Sequence, residues 1–299
     1  MRVIDGFERA VRAVAVSADG RFLAAASSHV LAVWDWAGGE RWRAACGSGP
    51  QLAFSPDGEW LATCAGNDLQ VWPTDGRPPA RPAVAPGSPL GGGVAFAPDG
   101  KHLVAGRNGP TTWPLVAVPG VGRLERWAVP SWQPAPGIDY WEAFPRLEFS
   151  RNGDFLAGIH PFGCQLRFAR VGGRQGEVRR RGRAGGTHPF LSFAPDSRTL
   201  LCGWDDELHV VDTGNGREAR REIRSPDAPF RDAAFTGSGR HAGTVDGAGV
   251  LRLWDAGAWE VERAFDWGAG PLTCLAFTAD GLAGVCGTAA GQLVLFDLE

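Results

Sequence analysis

The chain has 299 residues, 44% of them hydrophobic, and a formal net charge of −3. That balance excludes a global pull toward nucleic acid or an anionic membrane, and no run approaches the roughly 18 apolar residues of a spanning helix. With 43 Gly, 22 Pro and no sustained i, i+3, i+4 apolar pattern, the expectation is an all-β chain closing as one domain over residues 1–299.

In chain order, the first run is Arg2-Val3-Ile4-Asp5, short and strand-like. Residues 1–16 carry Asp5, Glu8, Arg9 and Arg12, so the apolar core of a secretory leader is missing and a cytoplasmic location is expected. One unit then recurs seven times. A short apolar strand runs into a tight turn, a second apolar strand follows, and a third ends in a large apolar residue. The turns read SADG (17–20), SPDG (55–58), APDG (97–100), SRNG (150–153), APDS (194–197), TGSG (236–239) and TADG (278–281). The third strands are assigned to VWD (33–35), VWP (71–73), TWP (112–114), RFA (167–169), VVD (210–212), LWD (253–255) and LFD (295–297).

Spacing supports the repeat. The third turn positions (Asp19, Asp57, Asp99, Asn152, Asp196, Ser238, Asp280) are separated by 38, 42, 53, 44, 42 and 42 residues. From each, 14 to 16 residues lead to Trp34, Trp72, Trp113, Phe168, Val211, Trp254 or Phe296. The chain thereby resembles the WD-repeat β-propeller family, whose blades repeat every ~40–45 residues with four strands each. The resemblance covers essentially the whole chain. It implies a seven-bladed propeller with four antiparallel strands per blade. Val294-Leu295-Phe296-Asp297 is the third strand of the last unit, and residues 1–6 are expected to supply its missing outer strand. Edge physics makes the same demand, because an open row of blades exposes unpaired backbone at each end. The Arg-dominated basic composition, with Lys101 the one Lys, fits a GC-rich bacterial source.

The Asp-Gly of the turns has a local cause: Asp bonds its own backbone and Gly takes positive φ. Asp196-Ser197 and Ser238-Gly239 depart from it and predict less regular turns. Trp34, Trp72, Trp113, Phe168, Trp254 and Phe296 are the expected anchors between blades. In the family, the third-strand Trp joins a hydrogen-bonded set with a Ser or Thr, an Asp and a His. Here the set is nowhere complete, and Thr244, Asp246 and Trp254 come nearest.

Chemistry-bearing patterns are few. Six Cys form no CxxC pair and read as reduced core thiols. Six His show no ligand spacing, so no metal, cofactor or catalytic residue is expected. Asp205, Asp206 and Glu207 read as a solvated turn, with a weak cation contact as the alternative. Arg174, Arg179, Arg180, Arg181 and Arg183, then Arg217, Arg220, Arg221 and Arg224, read as charge that protects outer strand edges. Without interleaved aromatics they do not point to nucleic acid.

Two places stand out for function. Residues 124–129 (LERWAV) read as the outer strand of the third unit, and 130–145 as a long loop entering the fourth. That loop carries Trp132, Tyr140, Trp141 and Phe144, which either cap the junction or await a partner. The second place is the channel rim, where Arg12, Arg146 and Arg231 stand near the starts of first strands. They either hold an acidic or phosphate group or are solvated, with Asp232 neutralising in part. First strands otherwise carry almost none of the acidic or His residues that line a catalytic axis. The function expected is a non-catalytic scaffold for a protein or peptide partner, monomeric alone or a subunit of a larger complex. Small-ligand or anion binding, less readily a hydrolytic activity, at the channel mouth is the alternative.

Overall fold

The computed structural model describes residues 1–47, 51–65, 68–84, 90–107, 123–139, 146–160, 165–171, 175–179, 189–204, 206–214, 217–225 and 228–298. Among these there is no helix. The chain opens with β1 (Arg2–Asp5). The next sheet holds β2 (Ala13–Val16), β3 (Phe22–Ala26), β4 (Val30–Asp35) and β5 (Glu40–Ala45). A three-stranded sheet follows: β6 (Gln51–Phe54), β7 (Trp60–Ala65) and β8 (Asp68–Pro73). Then come β9 (Leu90–Phe96), β10 (His102–Arg107), β11 (Arg123–Ala128) and β12 (Pro134–Asp139). The fourth repeat forms β13 (Arg146–Phe149), β14 (Phe155–His160), β15 (Gln165–Arg170) and β16 (Gln175–Arg179). The fifth forms β17 (Pro189–Phe193), β18 (Thr199–Trp204), β19 (Glu207–Asp212) and β20 (Arg217–Arg224). The sixth forms β21 (Phe230–Phe235), β22 (His241–Asp246), β23 (Val250–Asp255) and β24 (Val261–Asp266). The last holds β25 (Leu272–Phe277), β26 (Ala283–Thr288) and β27 (Gln292–Asp297), with β1 antiparallel to β27.

The architecture is a β-propeller. First strands pack in the order β2, β6, β9, β13, β17, β21, β25, and β25 returns to β2. Second and third strands are apolar on both faces because each sheet is sandwiched between two others. Leu23, Ala25 and Trp34 thus share a core with Val285, Leu293 and Leu295 from the neighbouring sheet. Outer strands face solvent; five of the six residues of β24 are exposed. β1 pairs Arg2 with Leu295 and Asp5 with Gln292, and the Gln292 amide donates to the Asp5 carboxylate at 2.8 Å. Ile4 packs against the core that holds Trp34.

The turns follow their sequence. Ser17 Oγ donates to Asp19 Oδ1 at 2.5 Å and accepts the Phe22 N–H at 2.9 Å, while Gly20 sits at φ 71°. Ser55–Gly58 repeats the arrangement. Where Gly is absent, Ser197 itself takes φ 61°. It is buried, and its Oγ accepts the Asn152 N–H of the neighbouring turn at 3.0 Å.

Among the described residues the second sheet shows no fourth strand, for a chemical reason. Val71 and Ala80 exchange both backbone hydrogen bonds. In antiparallel register the next bonded positions on either side of Ala80 are Pro78 and Pro82, which have no N–H to donate.

The third sheet corrects the sequence reading. Its third strand is β11, paired with β10 from His102↔Ala128 to Arg107↔Arg123, so 124–129 is not the outer strand. β12 holds that place. The extra residues of the long interval lie mainly between the second and third strands, at 108–122. Trp113, expected as the anchor, lies outside the described residues. Trp127 fills the anchor position: it is fully buried, and its Nε1 donates to the Ala83 carbonyl at 3.0 Å. A repeat counted from turn to turn cannot say in which loop an insertion sits.

Of the other anchors, Trp34, Trp254 and Phe296 are buried. Trp72 is half-buried and stacks on Trp42 at 5.3 Å. Phe168 lies on β15, with its side chain outside the described residues. Of the described cysteines, Cys46 is half-buried and Cys64, Cys202, Cys274 and Cys286 are buried; Cys164 lies outside the described residues.

Candidate functional site

The inner edge of every first strand has no neighbour in its own sheet, so its inward N–H groups must find other partners. Four polar side chains supply them, each from one repeat upstream. Gln51 Oε1 accepts Val94 N–H at 3.0 Å. Glu148 Oε1 accepts Phe193 N–H at 2.9 Å. Ser192 Oγ accepts Phe235 N–H at 3.2 Å, and Asp232 Oδ2 accepts Leu275 N–H at 3.0 Å. Gln51 reaches further. Its Oε1 also accepts Leu147 N–H at 3.2 Å and its Nε2 donates to Leu147 O at 2.8 Å, passing over β9 to β13. Gly91, Gly92 and Gly93 on β9 contribute no side chains to that strand.

These strands enclose an axial cavity of about 600 Å³, whose lining includes Gln51, Arg146, Glu148, Ser192 and Asp232. Arg146 Nη2 stands 3.4 Å from Asp232 Oδ1, joining the fourth and sixth sheets across the axis. Asp232 is 3% exposed. Burial pushes the Glu148 carboxyl up to about 8, against the lowering effect of the Phe193 N–H and Arg146, with Asp232 adding to the rise. Glu148 stays partly accessible because it lines the cavity. Burial likewise pushes the nearby Cys274 thiol up to about 12.

The three arginines expected at the rim do not gather there. Arg146 lines the cavity, whereas Arg12 and Arg231 do not. Arg12 is exposed. Arg231 lies against the turn after β22, where a Cβ added to Gly247 would meet its Nε at 3.4 Å. Asp232 answers Arg146 rather than Arg231, since neighbouring strand residues point to opposite sides. First strands, expected to carry almost no acidic groups, place two in the lining: Asp232, named from the sequence, and Glu148, which was not. A signal for Glu148 and Ser192 was present: two positions before each turn the chain otherwise reads Ala15, Ala53, Ala95, Ala234 and Ala276.

The aromatic candidates separate. Trp132 belongs to the hairpin joining β11 and β12, at the end of the sheet that carries the Asp-Gly turns. It adopts φ 56°, is half-buried, and meets Trp60 of the second sheet edge-on at 5.0 Å. It is therefore a packing residue between sheets. Tyr140, Trp141 and Phe144 lie outside the described residues, in the link from β12 to β13.

In the sixth sheet Trp254 Nε1 donates to Thr244 Oγ1 at 2.9 Å. Asp246 accepts the N–H of Ala248 and of Val250, and pairs with Arg252, both side chains being buried. Arg252 thus balances the Asp charge. Among the described residues no three His, Cys, Asp or Glu gather as metal ligands. A second cavity, of about 580 Å³, lies beside the N-terminal link and is lined in part by Phe7, Glu8, Arg9, His29 and Arg43.

The family described as WD domain, G-beta repeat matches residues 1–35 and 51–73. No curated protein matches the sequence.

Proposed function

We infer, for a chain that belongs to the WD-repeat β-propeller family, a non-catalytic scaffold that presents one end of its third blade to a protein or peptide partner. WD-repeat propellers commonly serve as interaction scaffolds, and rigid rings leave their loops free to vary. The observation that carries the reading is a register. Arg107 pairs with Arg123, and Arg123 with Asp139. The 108–122 connection and the 140–145 link therefore depart from the same end of the same sheet. In sequence the first connection carries Trp113 and the second Tyr140, Trp141 and Phe144, and large aromatics are the residues that anchor interfaces. We read the seven sheets as seven blades of one ring closed by β1, and place the protein in the cytoplasm; no described helix is long and apolar enough to cross a membrane.

The test is affinity capture from native extract with the wild-type chain and a variant carrying Trp113→Ser, Tyr140→Ser, Trp141→Ser and Phe144→Ser. A stoichiometric protein partner lost in the variant, at unchanged melting temperature, supports the reading. Equal capture by both chains rejects it. Trp132 is left in place because its removal would disturb the packing on Trp60.

A further inference from the structure

Among the described residues, the axial cavity holds one acidic group, Glu148, whose cationic neighbour Arg146 is paired elsewhere. Arg146 faces Asp232, whose oxygens also take the N–H groups of Ala233 and Leu275. That pair is satisfied. Glu148 stands two residues along β13 from Arg146, on the same side of the strand. Its Oε1 takes the Phe193 N–H, while Oε2 has no partner among the described residues, and the side chain lines the cavity. The flanking strands β9 and β17 carry no charged residue, and the one titratable residue of β14, His160, follows the Ile159 that pairs with Arg146 and has its side chain outside the described residues. Arg151, in the turn after β13, points its Nη1 toward the Gly237 carbonyl at 3.5 Å and is not among the charges acting on Glu148.

We propose that the axial cavity binds a small organic monocation, an alkylammonium or a guanidinium, whose charged head pairs with Glu148 and whose apolar part rests on the aliphatic wall of the first strands. The volume is that of a small-molecule site. An anion is disfavoured because Arg146 is committed to Asp232. A hard metal ion is disfavoured because it demands six or more oxygens, and no such cluster stands in the described residues. A carboxyl that keeps its proton to about pH 8 through burial is a carboxylate short of a cation. Binding then exchanges charge cleanly: the Glu148 proton leaves to solvent as the ligand cation takes its place. The inference concerns the axis and does not depend on the protein-partner reading.

The experiment titrates the full chain with butylammonium chloride, methylguanidinium chloride and, for opposite charge, sodium butyrate. Calorimetry in two buffers of different ionisation heat reads both affinity and protons released. Expected are cation binding, release of close to one proton per ligand near pH 6.5, and affinity rising about tenfold per pH unit between 5.5 and 7.5. Glu148→Gln, whose amide oxygen can still accept the Phe193 N–H, should lose at least tenfold in affinity and the pH dependence with it. Proton release is read on the wild type alone, so the test survives a variant that folds poorly. No cation binding at roughly 10 mM, binding of butyrate instead, cation binding without proton release, or unchanged affinity in Glu148→Gln would each overturn the proposal.

Discussion

At the scale of single residues, Ser197 shows two opposed effects at one position. It holds a left-handed backbone that a side chain disfavours by roughly 1–2 kcal/mol, and it accepts the Asn152 N–H, worth about 1 kcal/mol. Ser197→Ala loses the bond and keeps the strain, and should lower stability by roughly 1–2 kcal/mol in urea denaturation. Ser197→Gly loses the bond and relieves the strain, so its cost should be less than half as large. Glu148 makes a second prediction. Its carboxyl is held near 8 in the folded chain against an ordinary 4.5. Between these values the folded state keeps a proton that the unfolded state has released, so this group's stabilising contribution is full at low pH and declines as pH rises, levelling above about 8. Glu148→Gln removes that decline. Its melting temperature relative to wild type should therefore rise from pH 5 to pH 8.5. A flat difference would show that Glu148 ionises normally.

At the scale of elements, β1 is the test of closure. It contributes four paired residues, the Ile4 side chain and the Asp5–Gln292 bond. Deleting residues 1–5 exposes the outer edge of β27, and scanning calorimetry should show the transition lowered by roughly 5–10 °C. An unchanged transition would reject β1 as a structural strand. The element order was readable from sequence wherever the repeat was regular. The Ser-x-Asp-Gly turn is a local device, so each copy fixed the hairpin around it, and the β1 pairing followed from counting strands. Sequence failed at β11 because Trp113 stood at the right distance from its turn while Trp127 stood inside a run already assigned to the outer strand. Two tryptophans offered one register each, and only the pairing of β11 with β10 chooses between them. The site was less legible still. Convergence of Gln51, Arg146, Glu148 and Asp232 depends on residues roughly 85 to 180 positions apart meeting at one axis, and chain spacing does not reveal which of two adjacent residues points inward. Arg231 and Asp232 make the point: one turns to a peripheral loop and its neighbour to the axis.

At the scale of the whole molecule, Gln51 has a mechanical consequence. By fastening the second blade to the fourth through Leu147, it offers a load path around the third. That third blade bears the 108–122 insertion and the aromatic link. Because the same Gln51 oxygen also accepts the Val94 N–H of β9, one side chain ties three successive inner strands together. The loops of the third blade can then diversify while its strands stay fixed by the cores they share with the second and fourth sheets.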